Sequence, residues 1–229
     1  TSFEGLCGFS RGAMPVEIAS AISRRGMEAV SGDCYDMLGV RPHLGRLIGP
    51  ADAPLSGNSA TVVVISHALW TNALGADAEI IGRTLRVEGV ELTIIGVLPA
   101  SFMGLHVDQG PDIVLPLGLV SSLLGNKPPR VTALYAVGRL KQHVSLQQAR
   151  AELRSLWPAI WRAANPSSAA ANARVSPAAD PASLRIEGAA GGISDLRRQY
   201  ARALYAVLAL AASLLLMAGV NVAGLLIAQ

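Results

Sequence analysis

Residues 203–228, ALYAVLALAASLLLMAGVNVAGLLIA, carry no charged side chain, and Asn221 is their only strongly polar residue. As a helix the run would extend roughly 39 Å at 1.5 Å per residue, against the ~30 Å of a bilayer's hydrocarbon core. A helix pairs its own backbone N–H and C=O groups, so such a run strands nothing polar in lipid. The alternative is a buried core helix of a large soluble protein, which the length of the run and its lack of a polar face disfavour. The stretch predicts a membrane-spanning helix. A secretory signal peptide would lie at the other end of the sequence. The chain opens on Thr1 and stops at Gln229, directly after the run, so a piece of a larger membrane protein is expected.

Inside this run, Gly219 with Ala223, and Gly224 with Ala228, set small residues four apart. That spacing lets a neighbouring helix approach closely, and Asn221 is placed to hydrogen-bond across such an interface. The alternative reading is the ordinary abundance of Ala and Gly in membrane helices. Just upstream, residues 193–202 form a juxtamembrane segment, with Arg197, Arg198 and Arg202 at the interface and Tyr200 and Tyr205 as interfacial anchors. Taken alone, those arginines would place this flank in the cytoplasm. The positive-inside tendency compares two flanks, however, and the sequence contains one.

About 200 residues precede the run, enough for one domain or two small ones. Lys and Arg total 19 against 16 Asp and Glu, a formal net charge of +3. The basic residues are scattered, and only Arg24-Arg25 and Arg197-Arg198 are adjacent. No basic stripe with interleaved aromatics appears, which argues against nucleic acid as a partner. Two cysteines, Cys7 and Cys34, make neither a disulfide framework nor a metal spacing, and their pairing stays open.

From the N-terminus, strands are expected before Gly32: residues 15–22 alternate weakly, and Met27 to Val30 runs into Ser31-Gly32. In SGDCYDMLGVRPHLGRL (31–47), Asp33 is expected to cap a short helix through its carboxylate. Tyr35, Met37 and Leu38 would face inward, Gly39 would end the helix in the left-handed region, and Pro42 would enforce an extended exit. Residues 49–58 read as a loop, and TVVVI (61–65) as a buried strand. Ser66 would then cap a helix over 67–74, ended by Gly75. Residues 85–98 read as a hairpin turning at Glu88-Gly89. Residues 100–110 read as loop, 111–116 as a strand bracketed by prolines, and 131–141 as a longer strand. Ser145 with Gln148 forms a capping box. The helix it opens places Leu146, Ala149, Leu153, Leu156, Trp157 and Ile160 on one face, read as core. Residues 165–181, rich in Ala, Ser and Pro, read as a flexible connection.

Catalytic, cofactor and metal sites are not indicated. Asp33 and Asp36 fit capping and surface roles better than an acid–base pair. His43, His67, His106 and His143 are isolated in sequence, with no HExxH or His/Cys cluster for zinc. GAAGG (188–192) lacks the Lys-Ser/Thr of a phosphate-binding loop and reads as a hinge. No GxSxG elbow, Walker A loop or GxGxxG fingerprint is present.

Five stretches in order carry a family resemblance: SGDCYDMLGVRPHLGRL; VVVISHALWTNALGADAEIIGRTLRVEGVELTIIGVLPASFMGL; PDIVLPL; AVGRLKQHVSLQQARAEL; and LRRQYARALYAVLALAASLLLMAGVNVAGLLIA. Together they resemble the macrolide-exporter-type (MacB-like) periplasmic core domain followed by an FtsX-like permease helix, in the duplicated-permease subgroup of soil bacteria. Cys34 departs from the aromatic or polar residue usual there, and Gln229 stops short of the usual basic cytoplasmic flank.

The resemblance implies an α+β fold: a mixed periplasmic domain of two sub-domains over 1–192, a juxtamembrane segment over 193–202, and one transmembrane helix over 203–228. It implies a non-enzymatic permease subunit of an ABC-type transporter in the bacterial inner membrane, with 1–202 extracytoplasmic. A cytoplasmic ABC ATPase subunit would be its partner, together with the bilayer and a periplasmic adaptor or second permease half. Its periplasmic domain would transmit ATP-driven motion to export or extract a hydrophobic or amphiphilic substrate. The alternative is an FtsX-like signalling protein that regulates an envelope enzyme. A membrane-anchored enzyme is a third reading.

Overall fold

The computed structural model describes residues 1–54, 58–106, 110–124, 134–164, 184–189, 192–193 and 195–227, with side chains in the last helix described at Tyr200 and 203–219. The elements run β1 (Phe3–Ile18), β2 (Ala21–Val30), α1 (Cys34–Leu38), β3 (Leu44–Gly45), β4 (Val62–Ile65), α2 (His67–Ala73), β5 (Thr84–Val87) and β6 (Val90–Val97). They continue with β7 (Ile113–Pro116), α3 (Leu117–Leu124), β8 (Leu134–Leu140), α4 (Leu146–Ala164) and α5 (Asp195–Ile227). The fold is α+β, as read from the sequence. The chain divides into two compact units, Thr1–Gly104 with Gln109–Gly191, and Leu105–Asp108 with Gly192–Gln229.

In the larger unit the strands close on themselves. β1 pairs antiparallel with β2, β2 parallel with β7, β7 antiparallel with β4, and β4 parallel with β6. β6 then pairs antiparallel with β5, and β5 returns antiparallel to β1 at Val16↔Val87. A closed circuit of six strands leaves none of them as a bare edge along its whole length. β8 extends the sheet from the first half of β1, and β3 adds to β6. Every strand of the circuit feeds one buried cluster, through Met14, Met27, Val63, Leu85, Leu92 and Ile113 among others. Leu69 and Trp70 of α2, and Leu119 and Val120 of α3, join it.

β1 serves two layers. Met14 and Val16 enter that cluster, whereas Cys7 and Phe9, of opposite parity and therefore on the opposite face, are buried elsewhere. There Cys7 is disulfide-bonded to Cys34, Phe9 stacks on Tyr135 at 5.3 Å, and Tyr35 meets Phe102 edge-on at 5.9 Å. A short α1 is thus pinned over the first half of the longest strand.

The capping box, the Ser66 cap and the Glu88-Gly89 turn are present. Ser145 N–H donates to Gln148 Oε1 at 2.8 Å while Gln148 N–H donates to Ser145 Oγ at 3.2 Å. Ser66 Oγ accepts from Leu69 N–H at 3.1 Å, and Glu88 and Gly89 have φ of 51° and 82°. Gly39 closes α1 at φ 71°.

Three local expectations are corrected. Asp33 precedes α1 with helical dihedrals, φ −87° and ψ 0°, and makes no side-chain cap. A capping carboxylate needs the extended backbone that swings it over the first turn. Second, the weak alternation over 15–22 hides a tight hairpin turn, with Ala19 and Ser20 at φ 49° and 66°. The ten-residue ladder from Phe9↔Val30 to Ile18↔Ala21 holds these two in a conformation that neither residue favours by itself. Third, the apolar face of α4 is core only at its start. Ala149 is fully buried, Leu146, Leu153 and Trp157 are half-buried, and Leu156 and Ile160 are 41% and 44% exposed. Ties to the body fall in the first two turns, where Glu152 accepts from Ser2 N–H and Arg150 Nε donates to Ile186 O.

Candidate functional site

The four histidines separate in space into unlike settings. His43 and His67, distant in sequence, have rings 4.9 Å apart, and each also lies against Trp70, at 5.1 and 5.3 Å. Isolated in sequence, these two meet because the fold brings the end of α1's exit loop to the first turn of α2. Among the described residues no group of three or more His, Cys, Asp or Glu side chains could hold a metal ion. Asp33 and Asp36 are both exposed.

Among the described residues the buried polar side chains include Ser10, Glu28, Asp52 and His106. Asp52, 5% exposed, takes a two-pronged salt bridge from Arg46 and accepts from Gly49 N–H at 3.0 Å. Arg46 holds its carboxyl below the usual carboxylate range, the Gly49 N–H helping and partial burial opposing. In the second layer Glu28, 4% exposed, stands opposite Arg11 in the β1–β2 register. Burial, and then the charge of Glu28, push the Tyr35 phenol well above its usual value, so Tyr35 is neutral throughout the physiological range.

The connection between β6 and β7 leaves and re-enters the sheet through a glycine-lined neck. Gly104 has φ 91°, and a methyl group in place of its hydrogen would meet Pro111 Cδ at 2.6 Å and Glu28 Oε2 at 3.0 Å. A methyl at Gly110 would meet Met103 O at 2.9 Å. Below the neck, Asp112 N–H donates to Gly26 O, Asp112 Oδ2 accepts from Gly26 N–H, and Asp112 O accepts from Ser66 N–H. Within the smaller unit, His106 makes a parallel bridge with Ile193, whose N–H donates to Leu105 O at 3.3 Å. Residues 100–110 read as loop from sequence, and their one signal was the pair Gly104 and Gly110.

Two residues beyond Ile193, α5 begins and runs to Ile227. Side chains 203–219 are all exposed, among them Leu204 at 61%, Leu208 at 60% and Leu215 at 74%. One flank, lined by Tyr200, Leu204, Val207, Leu208 and the small Ala203 and Ala211, forms a shallow apolar groove. Elsewhere on the helix, the Ser213 hydroxyl donates to Ala209 O at 2.8 Å. Gly219 is open, with nothing within 4 Å of where a methyl would sit. Asn221, Ala223 and Gly224 lie on helical backbone, outside the described side chains. Among the described residues no helix is long and apolar enough to cross a membrane. The side chains described at 203–219 cover roughly 26 Å of helix, and the remainder of the expected span falls beyond them.

Comparison with known proteins now bears on this architecture. A family model described as the MacB-like periplasmic core domain matches residues 9–156, from the middle of β1 into α4. The fold is similar to the periplasmic region of MacB from Actinobacillus actinomycetemcomitans, at 16% identity over 70% of this chain and 68% of that one, with a TM-score of 0.54. It is also similar to the extracellular domain of the noncanonic ABC-type transporter YknZ from Gram-positive bacteria, at 12% identity over 73% of this chain and 78% of that one, with a TM-score of 0.50. No functionally curated protein matches it. At such identities the solved structures speak to fold alone, whereas the family model spans well over half of the sequence. The chain belongs to the MacB-like periplasmic core domain family.

Proposed function

We propose that this chain is part of the permease subunit of an ABC-type transporter. Residues 1–202 form its extracytoplasmic domain, and 203–228 cross the cytoplasmic membrane. The observation that carries the reading is α5, whose side chains 203–219 are exposed on every side and none of them charged. Fully exposed leucines in water forfeit about 1.5–3 kcal/mol each relative to burial, so a helix apolar all round belongs in lipid or against other apolar helices. It follows a domain whose family is periplasmic. The Cys7–Cys34 disulfide supports the same side of the membrane, since such bonds persist outside the reducing cytosol.

In this reading a separate cytoplasmic ATPase supplies the energy, and the domain relays its motion to a hydrophobic or amphiphilic substrate. Gly219 with Ala223, and Asn221 with Gly224, offer packing positions for neighbouring permease helices. Affinity purification of the complete reading frame from its native membrane tests the assignment. Recovery of a stoichiometric ABC ATPase is the expected result. Recovery of a cell-wall hydrolase with no transport activity would favour the signalling alternative and overturn this one.

A further inference from the structure

We infer that the second half of α4 is an interfacial helix that lies along the surface of an anionic bilayer. The inference rests on the permease reading for that surface, since a domain carried on a membrane-spanning helix meets lipid headgroups at high effective concentration. α4 is strongly amphipathic yet has little net hydrophobicity, the signature of a helix that lies in a membrane interface rather than one that crosses it. Its first turns serve the domain: Ala149 is fully buried, Arg150 Nε donates to Ile186 O, and Glu152 accepts from Ser2 N–H. The apolar stripe then continues at helical spacing through Leu156, Trp157, Ile160 and Trp161. On it Leu156 and Ile160 are 41% and 44% exposed.

The chemistry of this half selects its occupant. Trp157 and Trp161 have ring centroids 6.0 Å apart and are half-buried. An indole is apolar in body with a single N–H, and it is enriched at the level of lipid headgroups. Residues 153–164 carry two cations, Arg154 and Arg162, both exposed, and no acid. Arg154 precedes Trp157 by three residues and so borders the stripe, where a guanidinium is suited to lipid phosphate. A second copy laid on the same face would bring two arginines from each helix together with no carboxylate from this half to answer them. The sequence that follows, 165–183, has Val175 as its one large aliphatic or aromatic side chain, and cannot supply a matching stripe. An anionic phospholipid surface answers all three features, with acyl chains for Leu156 and Ile160, the headgroup level for the indoles and phosphate for the arginines.

The test uses the full-length protein reconstituted into vesicles of phosphatidylcholine, with or without an equal share of phosphatidylglycerol. A fluorophore is attached at Ile160→Cys, or at Ser155→Cys on the other side of the helix, Cys7 and Cys34 being already paired. Nitroxides carried on the lipids should quench the label at 160 and spare the one at 155, and quenching at 160 should deepen with phosphatidylglycerol. Arg154→Gln and Arg162→Gln, both at exposed positions, should each lower the docking equilibrium in the anionic vesicles about fivefold. Equal quenching at the two labels, none at either, or no effect of the arginine variants would each overturn the inference. So would a label at 160 that is shielded from water yet untouched by the lipid quenchers, since a protein surface would then cover it. Such a failure in a protein that still recovers its ABC ATPase would strike the docking and leave the permease reading standing. One-sided lipid quenching in a protein whose domain proves cytoplasmic would overturn the permease reading and leave the docking standing.

Discussion

Cys7, midway along the β8-paired half of β1, is disulfide-bonded to Cys34 at the head of α1, with Cα atoms 4.8 Å apart across 27 residues of sequence. Both are fully buried. The bond is the covalent tie of the layer in which Phe9 stacks on Tyr135 and Tyr35 meets Phe102. α1 has only five residues, too few to persist without tertiary support.

Removing that tie should loosen α1 before the six-strand circuit. The double variant C7S/C34S is expected to lose about 2–4 kcal/mol of stability. Thermal unfolding of the solubilised protein should show a lower midpoint, and hydrogen exchange should rise first over 31–40. An unchanged midpoint under reducing and oxidising conditions would contradict this role.

Two glycines beside α1 should respond differently to alanine. A methyl at Gly32 would drive into the backbone of Pro50 and meet Gly49 O at 2.7 Å, so Gly32→Ala displaces a loop. At Gly39 a methyl meets nothing within 4 Å, and the cost is that of φ 71° alone, about 1–2 kcal/mol. Gly39→Asn should recover part of that loss, and Gly32→Asn none. Equal Tm losses for the two alanine variants would refute the distinction.

Asp52 gives the larger unit an acid-sensitive point. Its folded pKa lies below the unfolded value, chiefly through Arg46. The stabilisation is therefore present above about pH 4 and is lost as pH falls through the folded value. Asp52→Asn should cost about 1–2 kcal/mol at neutral pH, a charge-assisted bond being lost, discounted because Arg46 is 58% exposed. The stability of D52N should fall less steeply between pH 5 and about pH 3 than that of the wild type. Parallel pH profiles would remove Asp52 from the account.

The two ends of α4 should tolerate substitution unequally. Ala149 is fully buried, so Ala149→Leu overpacks and should destabilise by about 1–3 kcal/mol. Leu156→Gln and Ile160→Gln alter exposed positions and should stay within about 0.5 kcal/mol. Chemical denaturation of the three variants checks this, and a large loss at Leu156 would restore the all-core reading of the helix.

Features that a few adjacent residues determine were legible in the sequence. Ser145 with Gln148, Ser66, Glu88-Gly89 and Gly39 each carry their own local geometry, and each occurs as read. Features decided by distant partners were not. Ala19 and Ser20 turn because a ladder on either side forces them to, and no glycine announces it. The closure of β5 onto β1 joins Val87 to Val16 across most of the circuit's length, a pairing no periodicity encodes. The burial of α4 depends on how far the surface beneath it extends, so its 3.6-residue pattern overstated the core. His106 and Ile193 meet through backbone, which leaves no side-chain signature, and Gly104 with Gly110 is the one sign of a constrained neck.

The most direct test of the central claim is the membrane sidedness of the domain. A reporter active only outside the cytoplasm, inserted between residues 165 and 181 of the complete reading frame, decides it. The account predicts activity, with a cytoplasmic reporter at the same site silent. A silent external reporter and an active cytoplasmic one would place 1–202 inside the cell, make Arg197, Arg198 and Arg202 a cytoplasmic flank, and contradict the permease reading.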